Sequence, residues 1–265
     1  MKNNFLQGYR YHRIPQSRIA TFDVYSVGLQ RHHVVALLEF DVTETRARIR
    51  EMRKNRERIS LNAWIIKAIG RALSEHPRVA GFLCSKKKLI TFDTINISMV
   101  VEKDLGSQKV PVPMILENVN AKSAGDITRE IEEARLQPIN DRDMVLRRRS
   151  LRVEQLYYAL PGFLRRAVWR WMLRHPRTAF RRMGNAVITS LGMVGRLDGW
   201  FLHKSVHPVS FGIGSILEKP KVVGKEIMIR QILNMTVLMD HDVIDGAPMV
   251  RFIKDLKNYI EQGPQ

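Results

Sequence analysis

Apolar residues in this chain change their spacing from one stretch to the next, and the spacing predicts the elements. Between 61 and 75, Leu61, Trp64, Ile65, Ala68, Ile69 and Leu73 recur every three or four positions, the period of a helix with one buried face. Ser60 stands where a cap is needed and Pro77 closes the stretch. From His33 to Phe40 apolar and β-branched residues run together, which predicts a strand. Asp41 and Thr43 can cap a following helix over about 43–57 that is dense in Arg and Glu. Short strands are expected at 88–91 and 95–102. Residues 110–115 should be extended, because Pro111 and Pro113 each push the preceding residue out of the helical region. Ser123 or Asp126 can cap a helix over 124–136. Further strands are expected at 186–192, at 209–217, where Gly212 and Gly214 allow close backbone approach, and at 226–238. A last helix over 247–262 carries Met249, Phe252, Ile253 and Leu256 on one side. Strands and helices alternate throughout, so the class is α/β or α+β.

One stretch breaks the pattern. From Asp141 to Arg182 there are twelve arginines and three acids. Within it Leu164, Ala167, Val168, Trp171 and Met172 fall on one helical stripe, with Arg165, Arg166, Arg170 and Arg174 off it. This is a basic amphipathic helix.

Composition narrows the partners. The formal net charge is +18, which favours polyanions: nucleic acid, anionic lipid or a phosphate-bearing ligand. Cys84 is the single cysteine, so an intramolecular disulfide and a cysteine-rich zinc site are excluded. Neither a secretory leader nor a membrane-spanning apolar run is recognisable, and a reducing, cytoplasmic location is expected. Nucleic acid is disfavoured by the lack of zinc-finger spacing, a recognition helix or an aromatic RNA-binding motif.

The candidate chemistry sits near the C-terminus, in Asp240-His241-Asp242-Val243-Ile244-Asp245-Gly246-Ala247. A histidine takes a proton near neutral pH without extreme tuning. Asp245 and Gly246 suit a tight turn.

These stretches together resemble the acyltransferase core of 2-oxo-acid dehydrogenase complexes, within the chloramphenicol-acetyltransferase-like superfamily. Asp240-His241 with Asp245-Gly246-Ala247 is similar to the family's D-H-R-x-x-D-G-A signature. Ile188 to Gly195 resembles its strand and turn bearing a Ser or Thr, Phe211 to Ile216 its glycine-containing strand, Ser60 to Leu73 its helix before a proline, and His32 to Val42 its first core strand. The likeness covers about residues 15–136 and 185–262. It implies an α/β fold, a two-layer sandwich in which helices cover a mixed β-sheet, and a single catalytic domain over 1–265 with a basic helical insert at about 137–184.

The resemblance also implies roles. His241 would be the general base on the thiol of coenzyme A or on an acceptor thiol, amine or hydroxyl. Thr189 would hydrogen-bond the oxyanion, and Asp245 would orient the loop, paired with an arginine of the N-terminal arm for which Arg18 is the candidate. Asp240 and Gly246 would support the turn. Acyl-coenzyme A is the implied substrate, with a lipoyl group supplied by another protein because no lipoyl domain is recognisable here. A homotrimer is implied, with the site between subunits, and the polar C-terminus argues against a large closed shell.

Asp242 departs from the family, which usually has Arg there. A carboxylate close to the base would raise the histidine pKa; pointing to solvent is its alternative. A catalytically silent trimeric scaffold is the competing reading of the chain. The insert has three readings: a helix packed on the trimer, a peripheral contact with an anionic membrane at its inner face through Trp169, Trp171 and the flanking arginines, or a dock for an acidic partner. His32, His33 and His207 are read as structural.

Overall fold

The computed structural model describes residues 11, 17–28, 31–55, 57–105, 108–137, 156–190, 195 and 197–264. Its centre is a six-stranded mixed sheet in the order β1-β8-β7-β6-β4-β5. The strands are β1 (His33–Asp41), β4 (Ile97–Leu105), β5 (Gln108–Leu116), β6 (Ala186–Ser190), β7 (Val209–Val223) and β8 (Glu226–Asp240). β6 runs parallel to both β4 and β7; the other pairs are antiparallel. A separate small hairpin joins β2 (Phe82–Ser85) to β3 (Lys88–Ile90).

Helices cover one face of the sheet: α3 (Leu61–Glu75), α4 (Ala124–Leu136) and α7 (Gly246–Gln262). Alternation along the strands decides which side meets them. Phe211 and Ile213 of β7 and Leu233, Met235, Val237 and Met239 of β8 point into the core with Ile65, Ile69, Leu73, Phe252 and Leu256 of the helices. The intervening Gly212, Asn234, Thr236 and Asp240 belong to the opposite face. Across that face passes the loop 197–208, tied down by Asn234 Nδ2 donating to the Gly199 carbonyl (3.2 Å) and Trp200 Nε1 to the Leu38 carbonyl (3.0 Å).

Local signals explain the helix starts. The Ser60 hydroxyl accepts from the Ala63 amide at 3.1 Å, and Ser123 and Asp126 form a capping box at the start of α4. α2 (Thr43–Lys54) has no side-chain cap at its own N-cap position; instead Asp41 accepts from the Thr43 amide at 3.0 Å. It ends three residues before the sequence expectation.

Two strands are longer than expected. β7 continues six residues past 217 and β8 starts opposite it, forming a hairpin that turns at Gly224 with φ +65°. Lys219, Pro220 and Lys221 break the apolar pattern that marks strands. Pro220 is tolerated because β6 ends far short of it, so one side of the strand needs no amide donor.

The insert packs through one side of its amphipathic helix. α1 (Ser17–Gly28), α5 (Gly162–Arg174) and α6 (Pro176–Met183) form a second small core in which Trp169, Met172 and Leu173 meet Val24, Phe82, Phe180 and Val206. Of the apolar stripe, Met172 packs inward, while Leu164, Val168 and Trp171 are exposed. Arg165, off the stripe, is turned inward: its Nε donates to the buried Asp23 carboxylate at 2.7 Å. Tyr157 donates to the same carboxylate at 2.7 Å, and Trp169 donates to the Tyr157 oxygen at 3.0 Å. Burial, with the neighbouring Asp23 carboxylate, pushes the Tyr157 hydroxyl up to about 12. A buried aspartate needs that arginine, and α1 supplies the aspartate from more than a hundred residues away. Among the described residues no helix is long and apolar enough to cross a membrane.

Candidate active site

β8 ends at Asp240 and α7 begins at Gly246, leaving a five-residue turn that presents His241. The turn is held by backbone bonds: Val243 and Ile244 amides donate to the Asp240 carbonyl at 3.0 and 3.2 Å, and Met249 to the Asp245 carbonyl at 3.2 Å. Ile244 is buried and pins the turn to the core, while His241, Asp242, Asp245 and Gly246 are exposed. The His241 amide donates to the His32 carbonyl at 2.9 Å, which fixes the turn to the start of β1.

Asp240 is the anchor beneath the histidine. Its carboxylate is 2% exposed and pairs with the Arg31 guanidinium; its second oxygen accepts from the Asp242 amide at 3.2 Å. Its own amide donates to the Pro208 carbonyl at 2.9 Å. A buried carboxylate of this kind requires a cation and further donors, and the turn provides both. Arg31 is absent from the sequence reading. Only the antiparallel register His33↔Asp240 brings it there, and nothing local to residue 31 announces that pairing.

Asp242 does not lie against His241 through a hydrogen bond. Its carboxylate accepts from His32 Nδ1 at 3.0 and 3.1 Å, in an exposed pair. His32 therefore has a partner in the motif. His33 donates from Nε2 to the His207 carbonyl at 3.0 Å, and His207 donates from Nε2 to the Met183 carbonyl at 2.9 Å. The Ser205 hydroxyl lies 3.3 Å from His207 Nδ1. Burial lowers its pKa to about 4, and burial also lowers that of His33. Both rings are scaffolding behind the turn.

Thr189 is elsewhere. In register it stands beside Gly212, which stands beside Thr236, five positions before His241. Two strand spacings across and five residues along put Thr189 roughly 19 Å from His241 in one chain. A Cβ at Gly212 would fall 2.8 Å from His203 Nδ1, so glycine is required for the loop to lie flat against the sheet beside Thr189. Asp245 makes no capping bond to α7. The side chain of Arg18, its expected partner, lies outside the described residues. Among the described residues no group of three or more His, Cys, Asp or Glu is placed to hold a metal ion.

The fold recurs in known proteins. The chain is 25% identical over 224 residues to the human mitochondrial dihydrolipoyllysine-residue succinyltransferase component of the 2-oxoglutarate dehydrogenase complex, covering 83% of this chain and 41% of that one. It is 23% identical over 204 residues to the acetyltransferase component of the pyruvate dehydrogenase complex of Rickettsia prowazekii, covering 77% and 41%. The chain thus spans about two-fifths of these relatives' length. Among solved structures, the cubic core of a pyruvate dehydrogenase multienzyme complex superposes with a TM-score of 0.67 at 19% identity, covering 97% and 94% of the two chains. A dihydrolipoamide acetyltransferase from Azotobacter vinelandii, investigated for the role of a serine, a histidine and an asparagine in its catalytic mechanism, gives the same TM-score, identity and coverage. The family model described as the catalytic domain of 2-oxoacid dehydrogenases acyltransferase matches residues 29–141 and 182–265, and the chain belongs to that family.

Proposed function

We propose that this domain transfers an acyl group between coenzyme A and an acceptor thiol of the lipoyl type, with His241 as general base and Thr189 as oxyanion donor. The observation that carries the reading is the exposed imidazole of His241, held on a turn whose base is the buried Asp240–Arg31 pair. Spacing supports the roles. In the Azotobacter enzyme the investigated histidine follows the serine by 52 positions and the asparagine follows the histidine by four. Thr189, His241 and Asp245 have the same separations.

In this mechanism His241 takes the proton of the attacking thiol. The sulfur adds to the acyl thioester carbonyl, and Thr189 donates a hydrogen bond to the oxygen as negative charge develops there. Collapse expels the other thiolate, which recovers the proton from His241. No covalent enzyme intermediate is needed.

A separation of about 19 Å within one chain is too long for this chemistry, so His241 of one subunit works with Thr189 of a neighbour. A homotrimer is the proposed assembly. Exposed apolar residues on β1 (Val35, Leu37) and at the β7–β8 hairpin (Val222, Ile227, Ile229) fit surfaces buried between subunits. The pairing of Asp242 with His32 supports an active base over a silent scaffold. A thiol-release assay with acetyl- and succinyl-coenzyme A and dihydrolipoamide tests the reading. Wild type is expected to turn over and His241→Ala to fall to background; equal rates for both would refute it.

A further inference from the structure

The insert helix α5 is apolar on two sides, of which only one packs against the protein. Phe163 (64% exposed), Leu164 (40%), Val168 (46%) and Trp171 (55%) form a stripe facing solvent, while the inward contacts come from Arg165, Trp169, Met172 and Leu173. A helix alone in water would not keep such a face exposed when a rotation about its axis could bury it. The Asp23–Arg165–Tyr157–Trp169 network, with Met172 and Leu173 packed beside it, opposes that rotation. Turning the stripe inward would strip the buried Asp23 carboxylate of its cation and of the Tyr157 hydroxyl.

The charge around the stripe has one sign. No Asp or Glu occurs between Glu154 and Asp198, a span that contains eight arginines. On α5, Arg170 and Arg174 flank the stripe on one side and are exposed; Arg177, Arg181 and Arg182 continue the exposed basic surface along α6. This segment falls in the gap where the family match is interrupted, between 141 and 182, so the acyl-transfer site does not account for it.

We propose that α5 is a membrane-docking helix, which lies in the plane of an anionic lipid surface with Phe163, Leu164, Val168 and Trp171 among the acyl chains and the arginines at the phosphates. The combination selects lipid over an acidic protein. A flat apolar stripe with a tryptophan and a one-sided row of cations matches the boundary between acyl chains and headgroups, whereas an acidic protein surface would meet the arginines and leave the stripe uncovered. The inward anchor makes the docking face rigid before contact.

Vesicle flotation of the full chain tests this. Wild type is expected to float with vesicles of phosphatidylcholine and phosphatidylglycerol in equal parts and not with phosphatidylcholine alone. Replacing Leu164, Val168 and Trp171 together by Ser, or making Arg170→Glu with Arg174→Glu, should each reduce flotation at least tenfold. All five positions are exposed, and circular dichroism and acyl transfer should stay unchanged. On binding, tryptophan emission should shift to the blue in wild type and not in Trp171→Ser. The proposal is overturned by any of three results. Wild type fails to float, or floats equally with both vesicle types. The Ser variant floats like wild type, which would make the arginines a general polyanion site. Sedimentation velocity shows the Ser variant losing an oligomer that wild type forms, which would make the stripe a contact between copies of the chain.

Discussion

Arg31 and Asp240 form an ion pair beneath His241, with the carboxylate 2% exposed and the guanidinium 17% exposed. The pair joins the residues before β1 to the end of β8. The turn that presents His241 is thus built on a contact between residues more than two hundred positions apart. Removing one partner leaves a buried charge uncompensated. Arg31→Met and Asp240→Asn should each cost about 3–5 kcal/mol in urea denaturation. Acyl transfer should fall in both, because the Asp242 amide loses or weakens its acceptor and the turn loosens. The double replacement Arg31→Met with Asp240→Leu should recover most of the stability but not the activity.

Asp242 invites the opposite expectation. It sits next to the proposed base, yet its hydrogen bond goes to His32, and both side chains are substantially exposed. Exposed pairs contribute about 0–1 kcal/mol. Asp242→Asn should therefore leave the denaturation midpoint nearly unchanged and alter kcat/KM by less than about threefold. A loss comparable to that of His241→Ala would show that Asp242 acts on the reaction itself.

His207 makes stability depend on pH. Its folded pKa, about 4, lies below the ordinary value of 6.5 because the ring is buried. Between those two values the unfolded chain binds a proton that the folded chain excludes. The contribution is fully present above pH 6.5 and is lost as pH falls towards 4. The shift corresponds to about 3 kcal/mol. His33 and His203, whose pKa values burial also lowers, act in the same direction. Denaturation midpoints measured from pH 7 to 4 should fall along this range, and His207→Gln should flatten the slope while lowering stability at pH 7. An unchanged slope in that variant would contradict the assignment.

Much of the fold was legible because its signals are local. Ser60 and Ser123 cap the helices they were expected to cap, and the strands at 33–40 and 186–192 were marked by β-branched runs. The turn holding His241 was legible from Asp245, whereas Gly246, expected in the turn, is the first residue of α7. What was not legible depends on partners distant in sequence. Arg31 gains its place only from strand register, and Arg165 turns inward only because Asp23 is waiting on α1. The apolar stripe of α5 left its surroundings open, because periodicity reports which side is apolar and cannot report which side faces the protein. Pro220 and its flanking lysines hid the second half of β7 for a similar reason: an edge position relaxes the pattern that marks a strand.

The central claim is that His241 and Thr189 act on one substrate from different subunits. His241→Ala and Thr189→Val should each be folded and severely impaired, Thr189→Val by about 10²–10³-fold. The decisive measurement is acyl transfer by assemblies reconstituted from equal amounts of the two variants. If each site draws its histidine from one subunit and its threonine from the next, random mixing leaves roughly one site in four intact, and activity should return to about a quarter of wild type. Activity that stays at the level of the separate variants would contradict the shared site.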